Sequence, residues 1–206
     1  MGGQDDLQPG LRDKANEVLR RLAPSERDAL LIKCWMSHDA RWFMAVAKEY
    51  GMEAANRLNR VAAHEVGKAE ARRIARAVEL PAARTVDDWL LTQEILLSLL
   101  GPDLAEYRLT KVGNDAFQVH VQRCFAHENA VRGGISEDYE CGMLTRITGW
   151  LDAQGVPHEI SPPLGKCLKA AGGECLYRFT LMFGDASRDQ ANRQVEVPPL
   201  AARGEG

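Results

Sequence analysis

The spacing of apolar residues changes from helical to alternating near residue 101, and this change organises the chain. Leu11 to Leu22 carries Ala15, Val18, Leu19 and Leu22 on one side and predicts a helix that Pro24 interrupts. Ser25, with Asp28 at the third position beyond it, resembles a cap that opens a helix from about Glu26 to Tyr50, ended by Gly51. A further helix is expected from Met52 to Leu80, stopped by Pro81. Another is capped at Thr85, continues through Asp87, Asp88 and Trp89, and ends at Gly101-Pro102. Its run Ile95 to Leu100 is apolar nearly all round and is expected to be buried between the two halves of the chain.

Beyond residue 101, Tyr107, Leu109 and Lys111 alternate with polar neighbours, Gly113-Asn114-Asp115 is a turn, and Phe117, Val119 and Val121 line a second strand, which predicts a hairpin. Gln118, His120, Gln122 and Cys124 alternate on its other face, so Cys124 is expected opposite the aliphatic residues. Gly133-Gly134 precedes a helix from Glu137 to Gln154 with Cys141, Leu144, Ile147, Thr148 and Leu151 in one stripe. His158 to Ser161 reads as a short strand, and Cys175, Tyr177, Phe179, Leu181 and Phe183 share a face of a final one. The fold class is α+β: a helical region, 11–103, packed on a small antiparallel-sheet module, 104–184. Residues 1–10 and 185–206 are expected as a disordered and a loose tail.

Composition narrows the classes. A net charge of -3 over 206 residues lacks the basic excess that nucleic acid requires. No window approaches the ~20 apolar residues of a membrane span, and the first residues lack the basic start and apolar run of a signal peptide. A cytoplasmic protein with reduced thiols is expected, with no nucleic-acid or membrane partner.

Cys124, Cys141, Cys167 and Cys175 are therefore read as metal ligands rather than disulfide partners. Four thiolates suit zinc, tetrahedral at roughly 2.3 Å, and leave no open position, so the metal is structural. Cys141 in a first helical turn is expected to ionise readily, with Arg123, Lys166, Lys169 and Arg178 offsetting the charge. The alternative is a set of buried free cysteines, and His120 is an alternate ligand. His127 and His158 fall in loop-like contexts and are expected in solvent. This cysteine set, with Gly142, Gly149 and the run Lys166 to Phe179, resembles the 4-vinyl reductase domain, a small α/β ligand-binding module. In relatives that sense aromatic effectors the last three positions are zinc-binding cysteines and the first is acidic; the sequence departs there with Cys124, which keeps zinc chemistry. The resemblance implies a small apolar or aromatic ligand.

A second constellation lies on the helices. Leu31, Trp35, His38, Trp42 and Val46 share a helical stripe, placing His38 in the core with Asp39 beside it. His38 and His64 lie equally far from Gly51, so antiparallel packing across that turn would bring them face to face. His38, Asp39 and His64 are then candidate catalytic groups, for acid–base chemistry or a metal with open positions. The plain alternative is a core histidine bonded to Asp39 or a carbonyl, with Cys34 a buried free thiol. Trp35, His38, Asp39 and Trp42 also resemble a pattern of L-2-amino-thiazoline-4-carboxylate hydrolases, implying a small amide or thiazoline-like substrate. The arginines and glutamates between Glu53 and Glu79 read as a solvated face. Small-molecule binding is the preferred function, hydrolysis the alternative, and a structural subunit with an exposed apolar helical face the third; a homodimer remains open.

Overall fold

A computed structural model of the chain describes residues 7–101 and 103–184. Expectations for residues 1–6, Pro102 and the 185–206 tail lie outside the described residues. The chain divides into two compact units, Met1–Trp42 and Phe43–Gly206. The expected boundary at 103/104 falls inside the second unit.

The first unit holds α1 (Leu7–Leu19) and the opening of α2 (Pro24–Ala77). Helix α1 begins before the expected Leu11, with Pro9 in its first turn, where a missing N–H costs little. The cap of α2 also sits earlier than Ser25: Pro24 takes the first helical position, and the Ala23 amide donates to Glu26 Oε2 at 2.7 Å. The stripe read as core is buried only at its end, at Val46 (7% exposed). Leu31 is 67% and Trp42 63% exposed.

In the second unit, Gly51 breaks α2 where a break is expected, at φ 84° and ψ 164°. Thr85 and Asp88 form a reciprocal capping box at the start of α3 (Val86–Leu100). Within its apolar run, Leu96 is buried but Leu99 is 58% exposed. Strands β1 (Ala105–Lys111) and β2 (Ala116–Cys124) form the expected hairpin, and β3 (His158–Ser161) and β4 (Cys175–Leu181) complete an antiparallel sheet in the order β1-β2-β4-β3. Between β2 and β3 lie α4 (Phe125–Arg132), unforeseen in the sequence, and α5 (Gly142–Ala153), shorter than the expected Glu137 to Gln154.

The core joins the inward residues of β2 and β4 to Leu144, Ile147, Trp150 and Leu151 of α5 and Trp89 and Leu96 of α3. Phe117 and Phe179, paired in register, stack at 5.0 Å. Helices α2 and α5 approach with almost nothing between them. A Cβ on Gly67 would lie 2.3 Å from the Arg146 carbonyl oxygen, and one on Gly149 would lie 2.2 Å from that of His64. This approach brings Glu70, 6% exposed, under α5, where it accepts from Arg146 Nε at 2.6 Å and Trp150 Nε1 at 3.2 Å. Glu70 thus leaves the solvated face assigned to it.

Candidate metal centre and apolar cavity

Four separate stretches of the second unit carry the four cysteines to one place. Cys124 ends β2 and caps α4, Cys141 caps α5, Cys167 lies in the loop before β4, and Cys175 opens β4. Cys124 does not face away from the aliphatic residues as expected. Glu106 pairs with Arg123 and Tyr107 with Val121, so Gln122 is an extra residue, and this bulge turns Cys124 into the same core as Val121. Cys141 and Cys167 are tied through the backbone: the Cys167 amide donates to the Tyr139 carbonyl at 3.0 Å and the Cys141 amide to that of Gly165 at 2.9 Å. Asn56 of α2 anchors this tie, donating to the Asp138 carbonyl at 2.7 Å and accepting from the Glu140 amide at 3.0 Å.

Burial pushes the Cys141 thiol up to about 12 and Cys175 to about 11, and raises Cys124. Cys141 is raised further by the charges of Cys124, Cys175 and Cys167, Cys175 by those of Cys124 and Cys167, and Cys124 by that of Cys167. The expected easy ionisation of Cys141 is thereby corrected. A helix N-terminus stabilises a charge by about 0.3–1 kcal/mol, whereas a three-unit rise corresponds to about 4 kcal/mol of opposing effect. The Ala126 and His127 amides lower Cys124 and the Leu144 amide lowers Cys141, electrostatically and without a formed cap bond.

The sulfurs are within electrostatic reach of one another but not drawn in to coordination distance. Among the described residues no group of three or more His, Cys, Asp or Glu side chains is placed to hold a metal ion. The donor chemistry still fits zinc: four thiols, two of them at helix N-termini, and one cation. That cation is Lys169, which lowers Cys124 and Cys175 and donates to the Gln122 carbonyl at 2.8 Å. Arg123 instead pairs with Glu106 at 2.9 Å and Lys166 with Asp138 at 3.3 Å, and Arg178 is exposed. His127, expected in solvent, lies 3.6 Å from Cys167 Sγ. Its place on the unforeseen α4 is why sequence spacing missed it.

The helical constellation is placed differently from its reading. In the first unit the His38 side chain is 78% exposed and sits 3.5 Å from Asp39, and Cys34 is exposed, so no core encloses them. In the second unit His64 directs Nε2 to Asp152 at 2.7 Å and Nδ1 to Glu65 at 3.3 Å, which occupies both ring nitrogens. His158, also expected in solvent, is 13% exposed and donates from Nδ1 to the Val156 carbonyl oxygen at 3.1 Å.

A cavity of about 60 Å³ lies between α3, the hairpin and α5, lined chiefly by apolar side chains such as Leu97, Leu104, Val121 and Ile147. Among the described residues no helix is long and apolar enough to cross a membrane.

The fold and site define an α+β protein with a thiol-rich centre beside a small apolar cavity. The chain belongs to a family of unknown function, DUF6125, whose profile matches residues 26–180. No curated protein matches it.

Proposed function

We propose that the second unit is a zinc-stabilised small-molecule-binding module of a cytoplasmic, sensor-like protein, with Cys124, Cys141, Cys167 and Cys175 as the zinc ligands. The observation that carries this reading is the convergence of four sequence-distant thiols into mutual electrostatic range. Burial and crowding make the Cys124, Cys141 and Cys175 thiolates costly alone. A divalent cation among them reverses that cost by replacing repulsion with bonding. Zinc would join β2, the 139–141 segment, the 165–167 segment and β4, and so hold the loops at one end of the sheet. It would supply structure rather than a reactive water, since four sulfurs fill its shell. The ligand is a small, largely apolar molecule in the cavity lined by α3, the hairpin and α5.

The test is a zinc titration of metal-free protein at pH 7, followed by circular dichroism and proton release. One equivalent taken up, with protons released and the melting temperature raised, is the expected result. Identical melting with and without zinc overturns the metal reading.

A second reading is favoured by one observation: Leu30, Leu31 and Trp42 of the first unit are 52, 67 and 63% exposed. Such a face suits an interaction role, for instance in a homodimer. Sedimentation of the full chain beside a Leu31→Glu, Trp42→Glu variant tests it; a monomer in both cases removes the homodimer.

A further inference from the structure

The polar groups around the cavity are almost all committed to one another. Trp150 Nε1 donates to Glu70, Arg146 is held by Glu70, and Tyr107 Oη donates to the Glu94 carboxylate at 3.1 Å. Gln93 differs. It is fully buried and lines the cavity, and its Oε1 accepts from Trp89 Nε1 at 3.0 Å. An indole nitrogen can only donate, so the atom facing it must be the carboxamide oxygen, which fixes the direction of the amide. Its nitrogen, Nε2, is then buried with no hydrogen-bond partner in the protein. A native core rarely leaves a donor so placed, because its desolvation goes uncompensated.

We propose that Gln93 Nε2 is the recognition donor for the cavity's ligand, and that the ligand is a compact, neutral, mostly apolar molecule bearing one carbonyl-type acceptor. This rests on the small-molecule reading above and deepens it. Neutrality follows from the lining: its only charged member, Arg146, is already matched by Glu70. Compactness follows from the 60 Å³, room for roughly four to six water-sized positions at about 10–15 Å³ each. That favours a short ketone, aldehyde or ester over a substituted aromatic ring. The acceptor requirement follows from the donor itself, since an apolar ligand of equal shape would leave the amide unsatisfied in a drier site.

The probes are cyclopentanone and methylenecyclopentane, which match in shape and differ in the carbonyl oxygen. Binding to the full chain is followed by nuclear magnetic resonance, reading the Gln93 side-chain NH₂ signals. The expected result is a ketone affinity about 10-fold or more above that of the hydrocarbon, with the Gln93 signals shifting only for the ketone. Gln93→Met should remove the preference while the hydrocarbon still binds. Equal binding of both probes by the unaltered protein overturns the role of Gln93 and leaves the cavity reading standing. Binding of neither overturns the cavity reading itself. Gln93 NH₂ signals that report a tightly held water and ignore the ketone overturn the proposal, without recourse to any variant.

Discussion

Replacing Gly149 by alanine would set one methyl group against the backbone of a neighbouring helix. The added Cβ would lie 2.2 Å from the His64 carbonyl oxygen and 3.1 Å from the Lys68 amide nitrogen, where ordinary contact begins near 3.4 Å, so α2 and α5 must separate by more than 1 Å. Alanine gains about 1 kcal/mol of helix propensity over glycine. Overpacking costs about 1–3 kcal/mol, and here neither contact atom belongs to a side chain that can turn aside. The same displacement stretches the His64–Asp152 and Glu70–Arg146 pairs that bridge the crossing. The steric and polar losses outweigh propensity, for a net destabilisation of about 2 kcal/mol and a melting point lower by about 5 °C. Gly67→Ala, aimed at the Arg146 carbonyl oxygen, should behave alike, and the double variant should lose less than the sum because the helices are already apart. Gly165→Ala, with nothing within 4 Å, is the control. A Gly149→Ala protein melting at or above the parent would refute this account of the crossing.

Glu70→Leu should destabilise by about 3 kcal/mol or more in urea unfolding, since it removes the carboxylate from a nearly buried guanidinium and from Trp150 Nε1; Glu70→Gln, which retains an acceptor, should cost less. Metal-free protein should lose stability in alkali. Cys141 and Cys175 have folded-state values above the ordinary thiol value of 9.0, so their stabilisation is complete below about pH 9 and is lost as pH rises toward 11–12. At pH 10 the two together should cost about 3 kcal/mol relative to pH 8, seen as a lower urea midpoint, and an unchanged midpoint would contradict the burial of the thiols. With zinc bound the sign reverses, because ligation requires thiolates: affinity should fall as pH is lowered from 8 to 6.

The sheet and α3 were legible because their signals are local. Alternation marked β1, β2, β3 and β4, and Thr85 with Asp88 marked the start of α3. Helix α4 escaped notice because its eight residues follow a strand directly, with cysteine at the cap position where Ser, Thr, Asp or Asn is the usual sign. The bulge at Gln122 reversed the facing of Cys124, since a single added residue inverts a period of two. Glu70, Gly67 and Gln93 carry no local signal. Their roles arise from α5 and the cavity, 76 residues away from Glu70 along the chain in the case of Arg146. The stripe through His38 shows the converse, since its spacing is amphipathic but Leu31 and Trp42 stand in solvent while Val46 is buried. Spacing identifies a face and does not say whether anything covers it. The direction of the Cys124, Cys141 and Cys175 shifts depended on burial that spacing does not report.

X-ray absorption at the zinc edge of the purified full chain tests the central claim most directly. The account predicts one zinc per chain with four sulfur neighbours at about 2.3 Å. A shell of nitrogen and oxygen, or a protein that takes up no zinc with all four thiols reduced, would contradict it.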